Sequence, residues 1–361
     1  MKFNSFSIFI IFSVLVLCSC DTANKKLSYK EKEGKIVTFV DKLDSVNRNY
    51  YAASTYKPDD ELYNPVLAIQ RKRWDIAIPL LEKLVNKNNP DAMYWLAEIS
   101  GGSIFSGKDK ANLFKHSAEL GNPYAALRLN IGAEDCNTYL KGYCSKEWGD
   151  KASKILKDRA NKGDIKAKYH LSLLNGNNYD DDLELVLKNA EKHYYYPLIY
   201  FIEYDNNLSP ELRKKLYNIM VNNYFVPVAE LMYLNLSRDS FGYEYYESNL
   251  KRLAYSDGVW LSISAINSKF FEIKPNREYI KKMIISDFIN NIEDKSKNLN
   301  HGFGEVNLDI NYLVDYYNSL LKSNKMDLIS KDDIDTINKE ALDILANTKP
   351  IIYIDEYFYK P

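Results

Sequence analysis

The sequence predicts an all-α protein built as a solenoid of helix pairs, and three observations support this class. Residues that tolerate a left-handed backbone, and so suit helix ends, recur at intervals of roughly 30 to 40 residues. A small or helix-starting residue lies four positions after each of these turn residues. An apolar residue lies another four positions, or about one helical turn, further on. Helical periodicity then continues beyond the repeats toward the end of the chain.

The repeated positions fall into three sets. The turn residues are Asn88, Gly121, Gly163, His193, Asn223 and Gly258. The residues that begin each second helix are Ala92, Ala125, Ala167, Pro197, Pro227 and Ser262. The apolar residues are Leu96, Leu129, Leu171, Phe201, Leu231 and Ile266. The longest interval separates Gly121 from Gly163, which predicts an insertion over residues 134–148.

Two copies of the unit carry a recognisable order of residues. One has Ala-Glu-Leu-Gly at residues 118–121 followed by Ala125, and the other has Ala-Asn-Lys-Gly at residues 160–163 followed by Ala167. This order resembles the Sel-one-like repeat, a relative of the tetratricopeptide repeat. The resemblance implies a right-handed α/α solenoid over residues 66–268, although the later copies lack the Ala-x-x-Gly pattern and rest on spacing alone.

Helical patterns flank the repeats. Residues 33–51 are predicted to form a first helix, and residues 269–361 a C-terminal helical region. Within that region the helices are predicted over residues 277–292, 309–322 and 331–346. Ser330 is predicted to cap the last of them, with Asp333 reaching back to it.

The last residues of the chain have a different composition. Residues 351–359 are apolar and aromatic, with Asp355 and Glu356 among them, and they follow Pro350. This pattern predicts an extended tail that lies on the helices, with a short edge strand as the alternative.

The N-terminal residues have the pattern of an export signal. Lys2 precedes an apolar run over residues 6–17, which is about half of the ~20 residues that a membrane-spanning helix needs. Residues 1–19 are therefore predicted to be a signal peptide rather than a transmembrane anchor. The sequence Leu-Cys-Ser-Cys at residues 17–20 resembles the bacterial lipobox, which implies that Cys20 is lipidated.

The lipobox also predicts where the protein lies. Residues 20–65 would comprise the lipidated N-terminus, a tether and the first helix, and the body would be periplasmic and anchored to a membrane through lipid. Asp21 resembles the signal for retention at the inner membrane, with the outer membrane as the alternative.

Cys136 and Cys144 are the cysteines that remain after the lipobox. In an oxidising compartment, two cysteines this close in sequence are predicted to form a disulfide. A zinc site is the alternative, but residues 134–148 contain no histidine, and a structural zinc ion needs about four ligands.

The sequence offers no pattern for catalysis or cofactor binding. His116, His170, His193 and His301 are scattered, without the His-Glu-x-x-His spacing of a zinc site. No Gly-x-Ser-x-Gly motif supplies a nucleophile. The net charge is -1, and the charged residues are spread along the chain without the basic stripe that is typical of a nucleic-acid-binding protein. We expect no catalytic residue, metal, cofactor or nucleic-acid partner.

Tyrosine is abundant, with 30 residues, and it clusters at residues 194–196 and 243–246. Because tyrosine combines a large contact area with a polar tip, such clusters are typical of protein interfaces. Composition bias of AT-rich genes is the alternative. The predicted partner-binding residues are Tyr194, Tyr195, Tyr196, Tyr243, Tyr245 and Tyr246.

Lipoproteins with Sel-one-like repeats resemble a group that protects the producing cell from phospholipase effectors of the type VI secretion system. The resemblance implies a protein partner, a secreted lipase-type effector toxin, whose active site this chain would occlude. The alternative is a periplasmic scaffold for envelope or peptidoglycan enzymes. The sequence itself does not separate these two hypotheses, because each requires a protein-binding surface and neither requires catalytic residues.

Overall fold

A computed structural model gives the fold of the chain. It describes residues 28–43, 50–101, 107–177, 182–205, 207–235, 239, 241–254, 277, 280–281, 283–285, 288, 310–347 and 349–358. All regular secondary structure in these residues is helical, which confirms the predicted all-α class. Within the same residues, no helix is both long enough and apolar enough to cross a membrane. Cys20, Asp21 and the predicted signal peptide lie outside the described residues.

The helices follow one another along the chain with short connections. In the first part they are α1 (Tyr29–Leu43), α2 (Tyr63–Gln70), α3 (Trp74–Val85), α4 (Pro90–Ile99), α5 (Gly107–Glu119), α6 (Pro123–Arg128), α7 (Glu134–Thr138), α8 (Lys146–Asn161) and α9 (Ile165–Leu174). In the second part they are α10 (Leu183–Glu191), α11 (Tyr196–Tyr204), α12 (Pro210–Asn222), α13 (Val228–Leu234), α14 (Tyr243–Ala254), α15 (Ile310–Ser323) and α16 (Lys331–Asn347).

Side-chain caps start the second helix of the early pairs. Asn89, Asn122 and Asp164 each precede a helix and accept a hydrogen bond from the amide three residues later, at 3.0, 2.8 and 2.9 Å. The donors are the alanines of the repeat, so each alanine lies in the first turn of its helix. The first backbone N–H groups of a helix have no acceptor within the helix, and each of these caps supplies an acceptor for one of them.

Left-handed residues end the first helix of the pairs, as the repeat predicts. Asn88, Gly121, Gly163 and His193 have φ angles of 60°, 100°, 94° and 63°. At the next turn the prediction of Asn223 is wrong, because Tyr224 has the left-handed conformation instead, with a φ of 57°. The helix α12 ends one residue later than the spacing predicts, so the left-handed position moves with it.

Helices that are adjacent in sequence pack against each other. Contacts join α2 to α3, α3 to α4, α4 to α5, α5 to α6, α6 to α8, α8 to α9, α9 to α10 and α10 to α11. The first helix is an exception, since α1 packs against the distant α10 and α12. The predicted end of this helix at Tyr51 is wrong. The helix ends at Leu43, and residues 50–53 form a turn.

Two hydrophobic clusters hold the helices together. The first core includes Trp95 and Phe114 and draws on helices from α2 to α8. The second core includes Phe201 and Tyr217 and draws on α1 and the helices from α9 onward. Residues 349–358, which we call the tail segment, contribute to both, with Ile352 inside the first core and Phe358 packed against the second.

The C-terminal helices form with the cap that the sequence predicts. The Ser330 amide donates to Asp333 Oδ2 at 2.7 Å, and the Asp333 amide donates back to Ser330 Oγ at 3.3 Å. Asp333 also pairs with Lys281 at 2.7 Å. Burial alone would raise the pKa of Asp333, but the hydrogen bonds from Lys281 and Ser330 outweigh burial and hold this pKa below its usual range. The described residues between 277 and 288 are helical, in the predicted region.

Candidate binding groove

The tail segment lies against helices from both parts of the chain, with residues 349–355 extended and residues 356–358 in a turn. Gln70, at the end of α2, holds its backbone at two points. Its Nε2 donates to the Ile351 carbonyl at 2.9 Å, and its Oε1 accepts from the Tyr353 amide at 2.8 Å. Two bonds from one amide side chain fix an extended backbone in register, because such a side chain presents a donor and an acceptor together.

The loop before α2 binds the same stretch of the tail segment. The Thr55 amide donates to the Ile352 carbonyl at 2.8 Å, and the Ile352 amide donates to Ser54 Oγ at 3.0 Å. Thr55 Oγ1 then donates to the Ile354 carbonyl at 3.0 Å. Residues 351–355 are therefore extended on the helices, as predicted, whereas residues 356–358 form a turn in which the Tyr357 amide donates to Asp355 Oδ1 at 2.9 Å. The alternative of an edge strand is not formed within residues 349–358.

Tyrosine hydroxyls from three helices complete the hydrogen bonding of this backbone. The pairs are Tyr63 to the Pro350 carbonyl (2.7 Å), Tyr94 to the Glu356 carbonyl (2.6 Å) and Tyr196 to the Tyr353 carbonyl. Because these donors come from α2, α4 and α11, the helices form two sides of one binding groove around the tail segment. A groove that satisfies main-chain groups in this way recognises an extended peptide largely independently of its side chains.

Side-chain recognition in the groove is concentrated at an acidic pair. Lys166 Nζ lies 2.5 Å from Asp355 Oδ2 and 3.0 Å from Glu356 Oε2, and both carboxylates are almost fully buried. Tyr56 donates its hydroxyl to Glu356 Oε1 at 2.5 Å. Burial alone would lower the pKa of Lys166, but the two carboxylates outweigh burial and raise this pKa well above its ordinary value. Lys166 is therefore a permanent cation that fixes two negative charges.

Aromatic rings bind the residues that follow the acidic pair. The Tyr357 ring stacks on His170, with centroids 4.1 Å apart and planes 8° apart. His170 Nδ1 lies 3.0 Å from the Tyr124 hydroxyl, and its Nε2 lies 3.0 Å from the Tyr194 hydroxyl. Burial, and then the charge of Lys166, lowers the pKa of His170 well below its ordinary value. The ring is therefore neutral and donates to one tyrosine while it accepts from the other.

Phe358 extends the aromatic contacts to α11. Its ring stacks on Tyr196 with centroids 4.9 Å apart, and it lies 5.0 Å from the ring of Tyr200. Aromatic pairs at these distances contribute about 0.5–1.5 kcal/mol each beyond the area that they bury. The groove thus recognises two carboxylates followed by two aromatic rings.

A cavity of about 710 Å³ lies beside the groove. Glu356 and Tyr357 of the tail segment form part of its lining, together with Trp74 at the start of α3. Trp74 is 37% exposed, so part of its ring is accessible to a partner. An exposed tryptophan at the edge of a cavity is typical of residues that dominate the binding energy of protein interfaces.

Paired charges line the inside of this cavity. Glu98 and Arg128 form an ion pair at 2.5 Å, and Lys110 and Asp135 form another at 3.4 Å. Burial raises the pKa of Glu98 and outweighs the opposite effect of Arg128. Because each cation has a carboxylate partner, the cavity combines apolar walls with fixed dipoles, an arrangement suited to binding a polar group with defined orientation.

The predicted insertion supplies one wall of the cavity. Glu134, Asp135 and Tyr139 line the cavity from α7 and the residue that follows it. The structure joins Cys136 to Cys144 in a disulfide, in line with the sequence prediction, and their Cα atoms are 6.0 Å apart. A covalent link at this wall limits how far the insertion can move, so the cavity is held open in a defined shape.

The predicted partner-binding tyrosines have different positions in the structure. Tyr196 contacts the tail segment, and Tyr194 lies in the groove, where it bonds to His170. Tyr195 and Tyr246 are buried, at 0% and 1% exposure, so neither offers a surface to a partner in this conformation. Tyr245 bonds to Asn218 Oδ1 at 3.0 Å and carries Lys214 over its ring. The side chain of Tyr243, in α14, lies outside the described residues. A partner-binding role stays a prediction for the whole set.

Sequence reasoning missed most of the residues that form the groove, yet the repeat itself contains a signal for them. In three of the pairs, the residue before the small residue and the residue four positions later contact the tail segment or line the cavity. Residues four apart share one face of a helix. The pairs of positions are Tyr124 and Arg128, which line the cavity, and Lys166 and His170, and Tyr196 and Tyr200, which contact the tail segment.

Comparison with known proteins leaves this groove as the main guide to function. No model of a known protein family matches the chain, and no curated protein matches its sequence. Among the described residues, no group of three or more histidine, cysteine, aspartate or glutamate side chains is arranged to hold a metal ion. Within the described residues, what the groove binds is the tail segment of the same chain.

Proposed function

We propose that this chain is a membrane-anchored periplasmic protein that binds another protein. The observation that carries the proposal is the binding groove, in which side chains from α2, α4 and α11 hold an extended segment by its backbone. Peptide-binding domains use the same division of roles, in which main-chain bonds give affinity and side-chain pockets give specificity.

We propose a right-handed α/α solenoid of Sel-one-like pairs as the architecture that presents the groove. Support comes from the packing of each helix on its neighbours in sequence and from the left-handed turns at Asn88, Gly121, Gly163 and His193. Arrays in which each repeat contacts its neighbours build extended concave surfaces. Such a surface suits the enclosure of a whole protein domain better than a single flat contact does.

We propose a secreted lipase-type effector toxin as the partner, and occlusion of its active site as the mechanism. This proposal rests on the resemblance to lipoproteins that protect cells from type VI secretion phospholipases, and on the predicted lipidation of Cys20. A lipid anchor would hold the inhibitor at the membrane that the toxin attacks and so raise its effective concentration there. The aromatic and charged cavity beside Trp74 is a suitable place for a side chain of the toxin to insert.

Binding rather than catalysis is proposed because the titratable groups of the groove are already paired. Lys166 binds two carboxylates, and Glu98 is paired with Arg128. His170 is neutral, buried and bonded to a tyrosine at each nitrogen. A general base needs an accessible nitrogen within hydrogen-bond reach of a substrate, which this histidine does not offer.

The first test is capture of the partner by the tagged full-length chain, produced in its source bacterium and solubilised from membranes. We expect a lipase-type effector to co-purify in equal amount and to lose its activity when the purified chain is added. Recovery of cell-wall enzymes instead would favour the scaffold hypothesis. Recovery of neither class would contradict the proposed function.

A matched pair of variants tests the cavity as the binding surface. Trp74→Ala is expected to weaken partner binding by about tenfold or more, since hot-spot tryptophans contribute about 2 kcal/mol or more. Ile76→Ala is the control, because Ile76 lies on the same helix with similar exposure, 39%, and does not line the cavity. Equal affinity of both variants would show that the partner does not use this face.

A further inference from the structure

The tail segment has an inner and an outer part that are held in different ways. Ile351 and Ile352 are 0% exposed, and Ile352 belongs to the first core, so the inner part is integral to the fold. The outer part, residues 355–358, is held by ionic, hydroxyl and ring contacts. Asp355 and Glu356 are buried, at 1% and 8% exposure, and Tyr357 and Phe358 are half-buried. We call residues 349–354 the inner part and residues 355–358 the outer tail.

The contacts of the outer tail define a chemical specificity. Lys166 and Tyr56 bind two consecutive carboxylates, and ion pairs supported by further hydrogen bonds are among the stronger polar contacts in proteins. His170 and Tyr196 stack on the two rings that follow. None of these contacts depends on the outer tail being part of the same chain, so another segment with the same side chains would satisfy them equally.

The cavity gives a partner access to this site. Glu356 and Tyr357 line the cavity directly, so the outer tail forms its boundary with the groove. A segment that enters the cavity meets the outer tail before it meets the inner part. Replacement of the outer tail would therefore leave the bonds of Gln70 and Thr55 to the inner part in place.

We propose that the groove is a recognition site for a partner segment with two adjacent carboxylates followed by two aromatic residues, folded in the turn that residues 356–358 form, and that the outer tail occupies this site until such a segment replaces it. The proposal deepens the proposed function and rests on it in one respect, that the partner is a protein. Because the outer tail occupies the site in most molecules, the apparent affinity for the partner equals the intrinsic affinity multiplied by the fraction of molecules in which the site is open. The outer tail thus acts as an internal competitor.

The test uses a fluorescent peptide with the sequence of residues 353–361, titrated with the purified full-length chain and followed by fluorescence anisotropy. In the double variant Tyr357→Ala and Phe358→Ala, the chain's own outer tail loses its ring contacts. We expect the peptide to bind this variant about tenfold more tightly than it binds the unaltered chain, since the competitor is weakened. Equal binding to both proteins, or no binding to the variant, would overturn the proposal.

Two controls identify the recognised chemistry. A peptide in which the aspartate and glutamate are replaced by asparagine and glutamine is expected to bind the double variant about tenfold less tightly, because it lacks the charges that Lys166 pairs with. Adding Lys166→Met to the double variant should remove the preference between the two peptides, whereas Lys166→Arg should retain it. Circular dichroism verifies that each variant is folded. Equal affinity of the two peptides for the double variant would overturn the assigned specificity.

The peptide measurement separates this inference from the proposed function. Binding of the peptide as described, without recovery of a lipase-type effector from cells, would support the recognition site and contradict the proposed partner. Failure of the peptide to bind the double variant would overturn the recognition site even if a lipase-type effector were recovered.

Discussion

The early helix pairs, α3 to α9, and the later helices, α10 to α14, share caps and apolar packing but differ in the side chains that join neighbouring helices. Polar side chains join neighbouring early helices at defined points. Asn122 Nδ2 donates to Asp91 Oδ1 at 2.7 Å, and Ser117 Oγ donates to the Pro90 carbonyl at 2.6 Å. A cap or hydrogen bond requires one residue type at one position, so the early repeats keep a recognisable sequence pattern.

The later helices depend on large apolar side chains. On α12, the buried residues are Leu212, Arg213, Leu216, Tyr217, Ile219, Met220 and Val221. A helix buried on most of its surface accepts many combinations of apolar residues of suitable volume. Caps also start two of the later helices, where Asp182 accepts from the Leu185 amide at 2.9 Å and Ser209 accepts from the Leu212 amide at 3.3 Å. The Ala-x-x-Gly pattern thus fades after Gly163 while capping and helix pairing continue, since packing by large apolar side chains restricts sequence little.

The largest expected effect on stability concerns a buried ion pair of the later helices. Arg213 and Asp239 lie 2.6 Å apart with side chains 2% and 0% exposed, and Tyr217 donates to the same carboxylate. Asp239→Ala leaves a buried cation without its partner, which should lower the free energy of unfolding by about 3–5 kcal/mol. Urea denaturation measures the loss. Asp315→Ala is the control, because Asp315 is exposed on α15, and it should change stability by less than about 0.5 kcal/mol.

The next effect concerns the insertion between the early pairs. Replacing both Cys136 and Cys144 by alanine opens the loop that the disulfide closes and should lower the free energy of unfolding by about 2–3 kcal/mol. Unfolding of the unaltered chain in the presence of a reductant should show the same loss. A variant as stable as the oxidised chain would mean that the cavity wall is held by packing alone.

A smaller effect is expected at a cap of the early pairs. Asn122→Ala removes the cap of α6 and the hydrogen bond to Asp91, and should lower the free energy of unfolding by about 1–2 kcal/mol. Asn86→Ala is the matched control, because Asn86 is exposed and follows α3 without a left-handed backbone. If both variants lost equal stability, the cap of α6 and the bond to Asp91 would not stabilise the early pairs.

The smallest effect isolates backbone conformation. At Gly163 a Cβ would meet no atom within 4 Å, so Gly163→Ala tests the left-handed φ of 94° alone and should cost about 1 kcal/mol. Gly34, inside α1, is equally open, and Gly34→Ala should instead increase stability by about 0.5–1 kcal/mol. Thermal denaturation of the two variants should therefore move the midpoint in opposite directions. A shift in the same direction would contradict the role of Gly163 as a left-handed turn.

The sequence predicted the local features of the fold well, because caps and turns depend on a few neighbouring residues. The reciprocal bonds of Ser330 and Asp333 and the left-handed turns at Gly121 and Gly163 are of this kind. The turn after α12 was misplaced by one residue, since the length of that helix is set by its packing in the second core.

The groove was not predictable in the same way. Lys166 resembles a solvated lysine in sequence, and its partner Glu356 lies 190 residues away. Composition predicted that tyrosine would be important, but it did not show which tyrosines bind the tail segment and which, such as Tyr195 and Tyr246, belong to the core. Contacts between the helices and a tail segment far away in sequence leave no periodic pattern from which they could be predicted.

Hydrogen–deuterium exchange of the tail segment is the most direct test of the binding groove. The amides of Ile352 and Tyr353 donate to Ser54 and Gln70, so we expect them to exchange far more slowly than those of a free peptide. Lys166→Met should accelerate exchange at Tyr357 and Phe358 while the inner part stays protected. Exchange of residues 349–358 at the rate of a free peptide in the unaltered chain would contradict the groove and the functions proposed from it.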